Sequence, residues 1–270
     1  MSKKKKIITL TTDFGTLDGY AGIVKGVILG ICESAYIVDL SHDLPPWNIA
    51  AAAWIIGNSY PYFPQGTVHL AVVDPGVGSK RRAIAIAANE QYFIGPDNGL
   101  FSYVLHQVDA ANLKAYELNK DKYWRQEIST SFHARDLFAP VAAHFAAGVE
   151  LEQLGEQIEL DSLTKLPERE LKVKQNRVEG TVAYVDRFGN LITNIKRDYV
   201  RNAALCQVGK RSIGRIGHSY SSGDLGMPIA FIGSHGFLEI AVSQGRADEK
   251  LDAGVNTPVI LFEGSGTGVG

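Results

Sequence analysis

The sequence predicts an α/β N-terminal domain with a mostly parallel sheet, followed by a smaller all-β, barrel-like C-terminal domain. In the first part of the chain, short β-rich runs alternate with stretches of helical periodicity, which is typical of a parallel sheet covered by helices. After about residue 165 the pattern changes to short β-like runs separated by glycine-rich turns. We therefore expect domains at residues 1–165 and 175–263, and a flexible tail at 264–270.

Length and composition indicate an ordinary globular protein. The chain has 270 residues, of which 45% are hydrophobic and 21% charged. Lysine and arginine total 27 against 29 aspartate and glutamate residues, which gives a net charge of −2. We therefore expect no nucleic-acid or membrane partner, because the chain has no overall electrostatic attraction to either. A small-molecule partner fits this charge balance better.

Cysteine usage and the first residues favour a cytoplasmic location. The lysines at 3–6 precede an apolar stretch at 7–10 that is too short for a signal peptide or a membrane span. The two cysteines, Cys32 and Cys206, lie far apart without CxxC spacing. Neither a disulfide framework nor a thiolate metal site is therefore expected.

Strand and helix predictions follow from the periodicity. Residues 7–12 predict a strand, and residues 18–31 place apolar side chains at helical spacing. A strand at 36–40 precedes a helix at 46–56 whose start is set by two prolines, and a further strand is predicted at 68–73. The other predicted elements are strands at 83–88 and 92–94, a helix at 138–147 ending at Gly148, a linker at 163–174, and β-rich runs at 180–185, 191–195, 229–232, 237–242 and 258–262.

Polar residues follow the first three predicted strands at the point where each strand ends. They are Thr11-Thr12-Asp13, Ser41-His42-Asp43 and Asp74-Pro75-Gly76. Parallel sheets place their working residues just past the carboxyl ends of the strands. The sequence therefore predicts a site at this edge of the sheet.

Asp74 begins the glycine-rich segment DPGVGSKRR, which contains Arg81 and Arg82. Asp-Pro-Gly is a common turn sequence, so a purely structural role is the simpler interpretation. A position at the end of a central strand, with arginines that would keep the carboxylate ionised, favours a catalytic role instead.

Two further segments combine polar and aromatic residues. In SFHARDLFAP, His133 can change charge near neutral pH, although a lone histidine is more often structural, and Asp136 could simply cap the next helix. In VDRFGNLITN, the residues between two strands fit an ordinary hairpin turn. Alternatively, Asp186 and Asn190 bind an ammonium and a carboxylate while Phe188 stacks on a flat ring.

Common nucleotide and metal motifs are missing from the sequence. It contains no strand-borne GxGxxG, no GxxxxGK[ST], no HExxH and no GxSxG, and its seven histidines show no paired ligand spacing. We therefore expect no metal site.

Six segments, in order along nearly the whole chain, form a more specific pattern. They are TTDFG at 11–15, VVDPGVGS at 72–79, GPDNGLF at 95–101, FHARDLFAP at 132–140, DRFGNLITNI at 186–195 and GSHGFLEIAV at 233–242. Together they resemble the S-adenosylmethionine hydrolases, also called SAM hydroxide adenosyltransferases, a family related to bacterial fluorinase and chlorinase. The resemblance implies an α/β domain, a C-terminal β-barrel and a homotrimer with active sites between subunits.

The resemblance also implies a set of site residues. Asp74, Arg81 and His133 match the residues that activate water in the family. Asp13 would accept hydrogen bonds from the two ribose hydroxyls. The other implied contacts to adenosine and methionine are Trp47, Phe132, Asp186, Phe188, Asn190 and Ser234.

The implied reaction is attack of water on ribose C5′ of S-adenosylmethionine, which gives adenosine and L-methionine. No cofactor or metal is expected, because the sulfonium leaves as neutral methionine. The alternatives are a SAM-dependent halogenase that uses chloride and a SAM- or adenosine-binding protein without turnover. By the resemblance, Asp74 and His133 replace two fluorinase tyrosines and Ala134 replaces a fluorinase serine, which favours water. Ala134 and His235 depart from the residues usual in the family.

Overall fold

The computed structural model describes residues 6–200 and 203–263 and divides the chain into two compact units, Met1–Leu166 and Pro167–Gly270. The tail expected at 264–270 lies outside the described residues. In the described part of the chain, no helix is both long and apolar enough to cross a membrane.

A seven-stranded mixed sheet forms the centre of the N-terminal unit. Its strands are β1 (Ile7–Thr12), β2 (Tyr36–Ser41), β3 (Val68–Val72), β4 (Ala83–Ala88), β5 (Gln91–Pro96), β6 (Leu113–Glu117) and β7 (Glu156–Ile158). The order is β2-β1-β3-β5-β4-β6-β7, with parallel pairing from β2 to β5 and antiparallel pairing from β5 to β7. The α/β prediction is confirmed, with parallel strands on the side of the sheet formed by the first strands of the chain.

Helices accompany this sheet, and several of them contribute to one apolar core. They are α1 (Tyr20–Ile31), α2 (Ile49–Ser59), α3 (Ser102–Gln107), α4 (Ala139–Ala146) and α5 (Leu151–Leu154), with a π-helical turn at Ala134–Phe138 leading into α4. Every residue of β3 is buried, as expected for a parallel strand covered on both faces. Val24 and Ile28 of α1 join the core through the apolar face that their spacing predicted.

The carboxyl ends of β2, β1 and β3 meet at one edge of the sheet, as the sequence predicted. Thr11 is paired with Ser41 on one side, and Thr12 with Val72 on the other. Asp13 and Asp74 therefore follow neighbouring strands at the same edge.

Two local predictions are wrong. The helix predicted to start at the two prolines begins at Ile49, because the Asn48 side chain accepts a hydrogen bond from Ala51 N at 2.9 Å and caps the helix there. Asp136 does not cap the helix at 138–147. It lies inside the π-helical turn, where its carboxylate accepts hydrogen bonds from Ser129 N at 2.8 Å and Arg135 Nε at 2.6 Å.

The C-terminal unit is an antiparallel sheet that nearly closes into a barrel. Its elements are β8 (Lys172–Lys174), β9 (Arg177–Val185), β10 (Leu191–Lys196), β11 (Ala203–Val208), β12 (Arg211–Gly214), β13 (Pro228–Ile232), β14 (Phe237–Val242), β15 (Pro258–Glu263) and the helix α6 (Ala247–Leu251). The order is β12-β11-β15-β9-β10-β14-β13, with β8 paired to β9. A bridge between Ile216 and Ala230 connects the chain just after β12 to β13, so the two ends of the sheet approach each other. The barrel-like prediction is confirmed.

Candidate active site

Arg81 joins Asp74 and His133 into one hydrogen-bonded cluster, which we call the triad. Its Nε lies 3.1 Å from Asp74 Oδ1 and 2.9 Å from Oδ2, and its Nη2 lies 2.6 Å from Oδ2. The same Nη2 lies 2.8 Å from His133 Nδ1. The two hydrogens of Nη2 are therefore shared between a carboxylate and an imidazole that are 59 residues apart in the chain.

The triad fixes the protonation state of its histidine. Burial and then the positive charge of Arg81 lower the pKa of His133 below its ordinary value. Since a guanidinium only donates hydrogen bonds, His133 Nδ1 is the acceptor of the contact with Arg81. The neutral imidazole then carries its proton on Nε2, so that atom donates.

The two consecutive arginines have different roles. Arg82 Nη2 lies 2.6 Å from Asp97 Oδ2, and its Nη1 lies 3.1 Å from Ser162 Oγ. Asp97 also accepts a hydrogen bond from Thr164 N at 2.8 Å. Arg82 therefore fixes the 162–164 segment, and only Arg81 interacts with Asp74.

Two packing features hold the loops that carry the triad. Gly78 has a φ of 77°, and a Cβ at this position would collide with the carbonyl oxygen of Thr130. The loop after β3 can therefore pass close to the loop before His133 only because residue 78 is glycine. On the other side, the fully buried Asp136 anchors Ser129. Burial would raise the pKa of Asp136, but its hydrogen bonds and the charge of Arg135 lower it.

A cavity of about 340 Å³ opens beside the triad. It brings together five of the predicted site residues, namely Asp13, Trp47, Asp74, Phe132 and His133. Aromatic rings line part of its wall, since Phe132 packs edge-on against Tyr20 at 5.2 Å and Phe14 at 5.8 Å between ring centroids. The volume falls within the range of small-molecule pockets.

Asp13 is linked to an exposed tryptophan in this cavity. Trp47 N donates a hydrogen bond to Asp13 Oδ2 at 2.7 Å. The Trp47 side chain is 73% exposed, and its φ of 62° is rare for a bulky residue. Backbone strain of this kind is typical of binding sites. Asp13 Oδ1 accepts no hydrogen bond from the described residues and is available to a ligand.

In the C-terminal unit, Asp186, Phe188 and Asn190 share the loop between β9 and β10. Asp186 Oδ1 accepts hydrogen bonds from Phe188 N and Asn190 N, both at 2.9 Å. Asn190 Nδ2 donates to Asp186 Oδ2, also at 2.9 Å. The carboxylate thus holds the loop in one conformation, which leaves the Phe188 ring 74% exposed. Ser234 lies in the exposed turn between β13 and β14.

Two polar residues that the sequence did not point to extend this loop cluster. Asn190 Nδ2 donates to Tyr220 Oη at 3.1 Å, and Tyr220 Oη donates to Glu239 Oε1 at 2.6 Å. Glu239 lies in β14 and is only 8% exposed. Burial, together with the charge of Asp186, raises its pKa, while the hydrogen bond from Tyr220 opposes the rise. An acid inside the apolar run FLEIAV was the signal that could have revealed it.

Within residues 6–200 and 203–263, no group of three His, Cys, Asp or Glu side chains could hold a metal ion.

Comparisons with known proteins match most of the chain. The family model described as SAM hydroxide adenosyltransferase N-terminal domain matches residues 8–155, and the C-terminal domain model matches residues 180–260. Proteins named (R)-S-adenosyl-L-methionine hydrolase are 39% identical over 257 residues in Thermus thermophilus (93% of this chain, 97% of the relative) and 40% identical over 201 residues in Methanocaldococcus jannaschii (72% and 68%). A fluorinase from Actinoplanes is 27% identical over 270 residues (87% and 90%).

The fold agrees with these sequence matches. A crystal structure of a Thermotoga maritima protein superimposes with a TM-score of 0.88 at 33% identity, covering 95% of this chain and all of the other. Both family models match in the expected order, and together they span most of the chain. This chain therefore belongs to the SAM hydroxide adenosyltransferase family.

Proposed function

We propose that this protein is an S-adenosyl-L-methionine hydrolase in which water attacks ribose C5′ and releases adenosine and L-methionine. The observation that carries the proposal is the triad at the side of a ligand-sized cavity, in a chain of this family. Relatives that share 39% and 40% of their residues with it are named as hydrolases of this substrate.

In the proposed mechanism, the triad orients one water molecule and takes its proton. Asp74 is the only triad member with acceptor capacity left, because Arg81 only donates and His133 Nδ1 is already occupied. Asp74 therefore acts as the general base, while His133 Nε2–H donates to the oxygen of the water and fixes its direction. Arg81 holds both groups in place.

The leaving group needs no further help from the protein. Methionine departs as a neutral thioether, so the reaction requires no general acid, and we propose that it uses no cofactor or metal. Charge on the sulfonium is dispersed in the transition state, and a partly apolar cavity favours that change. The protein's main contribution is the position of the water.

We assign substrate contacts to the remaining site residues. Asp13 accepts the ribose hydroxyls through its available Oδ1, and Trp47 and Phe132 contact the nucleoside. Asp186, Phe188, Asn190 and Ser234 form the contacts of the C-terminal unit. We also propose a homotrimer whose sites are completed by a neighbouring subunit, and a cytoplasmic location, with which the two free, buried cysteines agree.

A halogenase is the competing enzyme, and the charge beside the cavity argues against it. A halide must exchange its hydration shell for hydrogen-bond donors and avoid negative charge. The Asp74 carboxylate lines the cavity, with its side chain only 5% exposed, and Ala134 offers a methyl group. A carboxylate repels chloride but accepts a proton from water.

The identity of the product tests the proposal. The protein is incubated with S-adenosylmethionine in ¹⁸O-labelled water, with and without high chloride. The products are then separated by chromatography and analysed by mass spectrometry. We expect adenosine carrying ¹⁸O at its 5′-hydroxyl under both conditions. A 5′-chlorinated nucleoside as the main product would identify a halogenase, and unchanged substrate would identify a binding protein.

A further inference from the structure

A chain of hydrogen bonds in the C-terminal unit connects the buried Glu239 to Asn190 through Tyr220. Tyr220 Oη lies 2.6 Å from Glu239 Oε1 and 3.1 Å from Asn190 Nδ2. The Tyr220 ring packs against Phe231 with 4.6 Å between centroids. A Cβ at Gly233 would collide with Glu239 Oε2, so the carboxylate fits where it does only because residue 233 is glycine.

The chemistry of these groups determines which group donates and which accepts in each of these hydrogen bonds. The Tyr220 hydroxyl donates its one hydrogen to Glu239 Oε1. The Tyr220 oxygen is then left as an acceptor, and the side-chain amide of Asn190 must present nitrogen to it rather than oxygen. The second hydrogen of that nitrogen goes to Asp186 Oδ2 at 2.9 Å.

Both hydrogens of the Asn190 amide nitrogen are therefore donated within the protein, whereas the amide oxygen remains as an acceptor. Among residues 6–200 and 203–263, no hydrogen bond reaches Asn190 Oδ1. Asn190 is 4% exposed and lies two residues after the exposed ring of Phe188. A fixed acceptor next to an aromatic surface suits a ligand that offers an N–H.

We propose that Glu239 and Tyr220 are positioning residues that hold Asn190 with its oxygen toward the substrate, where it accepts a hydrogen bond from a substrate N–H. The inference rests on the proposed function, because it takes S-adenosylmethionine as the ligand. Two N–H groups of that molecule qualify, the 6-amino group of adenine and the ammonium of methionine. Burying a carboxylate in an apolar strand costs stability, and this role explains why Glu239 is there.

Tyr220→Phe is the direct test, because it removes the hydroxyl and keeps the ring. The substitution frees Asn190 to turn its amide, so we expect KM for S-adenosylmethionine to rise at least ~10-fold with kcat within ~3-fold. Tyr199→Phe serves as the matched control, since Tyr199 is 41% exposed and outside the cluster. It should leave both constants unchanged.

Coupling to Asn190 separates orientation from a general structural effect. In an Asn190→Ala background there is no amide to orient, so adding Tyr220→Phe should change KM by less than ~2-fold. A full additive effect in that background, or an unchanged KM in the single variant, would overturn the inference. If Tyr220→Phe fails to fold, Glu239→Gln replaces it. The amide of glutamine donates as well as accepts, so it no longer fixes the direction of the hydrogen bond with Tyr220. We then expect KM to rise at least ~3-fold, and an unchanged KM would overturn the inference.

Binding of the two products identifies the substrate N–H. Calorimetry with adenosine and with L-methionine measures each half of the substrate separately, in wild type and Tyr220→Phe. A weaker Kd for adenosine alone assigns the adenine amine, a weaker Kd for methionine alone assigns the ammonium, and no change in either contradicts the inference. These measurements do not need turnover. Failure of wild type to hydrolyse S-adenosylmethionine would therefore count against the proposed function and not against this inference.

Discussion

Asp186, Asn190, Tyr220 and Glu239 form a hydrogen-bonded cluster in the C-terminal unit, which we call the Asp186 cluster. This cluster and the triad of the N-terminal unit both centre on a carboxylate, but the partners of the two carboxylates differ. Asp74 is bound by a guanidinium through three contacts of 2.6–3.1 Å. Asp186 accepts hydrogen bonds of 2.9 Å from two backbone N–H groups and one side-chain amide. One carboxylate is balanced by charge, whereas the other is held by directed, neutral donors.

This difference indicates two different roles, catalysis for the triad and substrate binding for the Asp186 cluster. A carboxylate that a guanidinium holds at the wall of a cavity is placed to take a proton from water, which suits catalysis. A carboxylate held by neutral donors fixes the shape of a loop, and with it the direction of Asn190, which suits recognition. Substitutions in the triad should therefore change kcat, and substitutions in the Asp186 cluster should change KM.

Asp74→Asn tests the chemical half of the comparison and should have the largest effect. The substitution keeps the size of the side chain but removes the proton acceptor, so we expect kcat to fall at least ~10²-fold. Steady-state kinetics measures it, and thermal unfolding verifies the fold. Asp97→Asn is the matched control, because it breaks the equivalent contact with Arg82 outside the cavity. It should lower stability but leave kcat within ~3-fold. Near wild-type kcat in Asp74→Asn would remove Asp74 from the triad.

Asp186→Asn makes the same change in the other cluster and should have a smaller effect on a different constant. The amide oxygen can still accept the two backbone hydrogen bonds, but the amide nitrogen cannot accept the one from Asn190 Nδ2, so Asn190 loses a partner that fixes its direction. We expect this loss to weaken substrate binding by about 1–3 kcal/mol. KM should rise accordingly while kcat stays within ~3-fold. If Asp186→Asn instead lowers kcat at saturating substrate as much as Asp74→Asn does, the division between chemistry and recognition is wrong.

The two clusters also differ in how far the sequence predicted them. Asp13 and Asp74 follow neighbouring parallel strands, so the strand pattern alone predicted the edge at which they meet. The family resemblance named Arg81 and His133, but periodicity could not distinguish Arg81 from Arg82. In the structure, Arg81 binds Asp74 and Arg82 binds Asp97.

Tyr220 and Glu239 were not predicted because their contact depends on long-range pairing. Tyr220 lies outside any predicted element, and Glu239 lies in a strand that was assigned only by its apolar residues. They meet Asn190 because β14 pairs with β10 and β13 in the barrel. Local sequence patterns do not specify which antiparallel strands become neighbours. β11 and β12 were also not predicted.

The pH dependence of kcat tests the role of His133 in the triad, and the expected change in kcat is small. His133 must be neutral to accept the hydrogen bond from Arg81, and burial together with the Arg81 charge lowers its pKa below the ordinary 6.5. At pH 6 a histidine with the ordinary pKa would be about three-quarters protonated. Because the pKa of His133 is lower, we expect kcat to fall by less than the ~4-fold that an ordinary pKa would give between pH 7.5 and pH 6, and the midpoint of its acid limb to lie below 6.5.

The same shift determines the sign of the stability effect. As the pH falls below 6.5, the unfolded chain binds a proton at His133 before the folded protein does, so the free energy of unfolding decreases through that interval. Measuring this free energy in urea for wild type and His133→Asn should give a shallower decrease in the variant. His144→Asn is the control, since the pKa of His144 is also lowered by burial but the residue lies away from the triad. It should flatten the stability curve without changing the pH profile of kcat. A midpoint of the acid limb at or above 6.5 in wild type would mean that Arg81 does not hold His133 neutral, and the triad would lose the acceptor that we assign to His133 Nδ1.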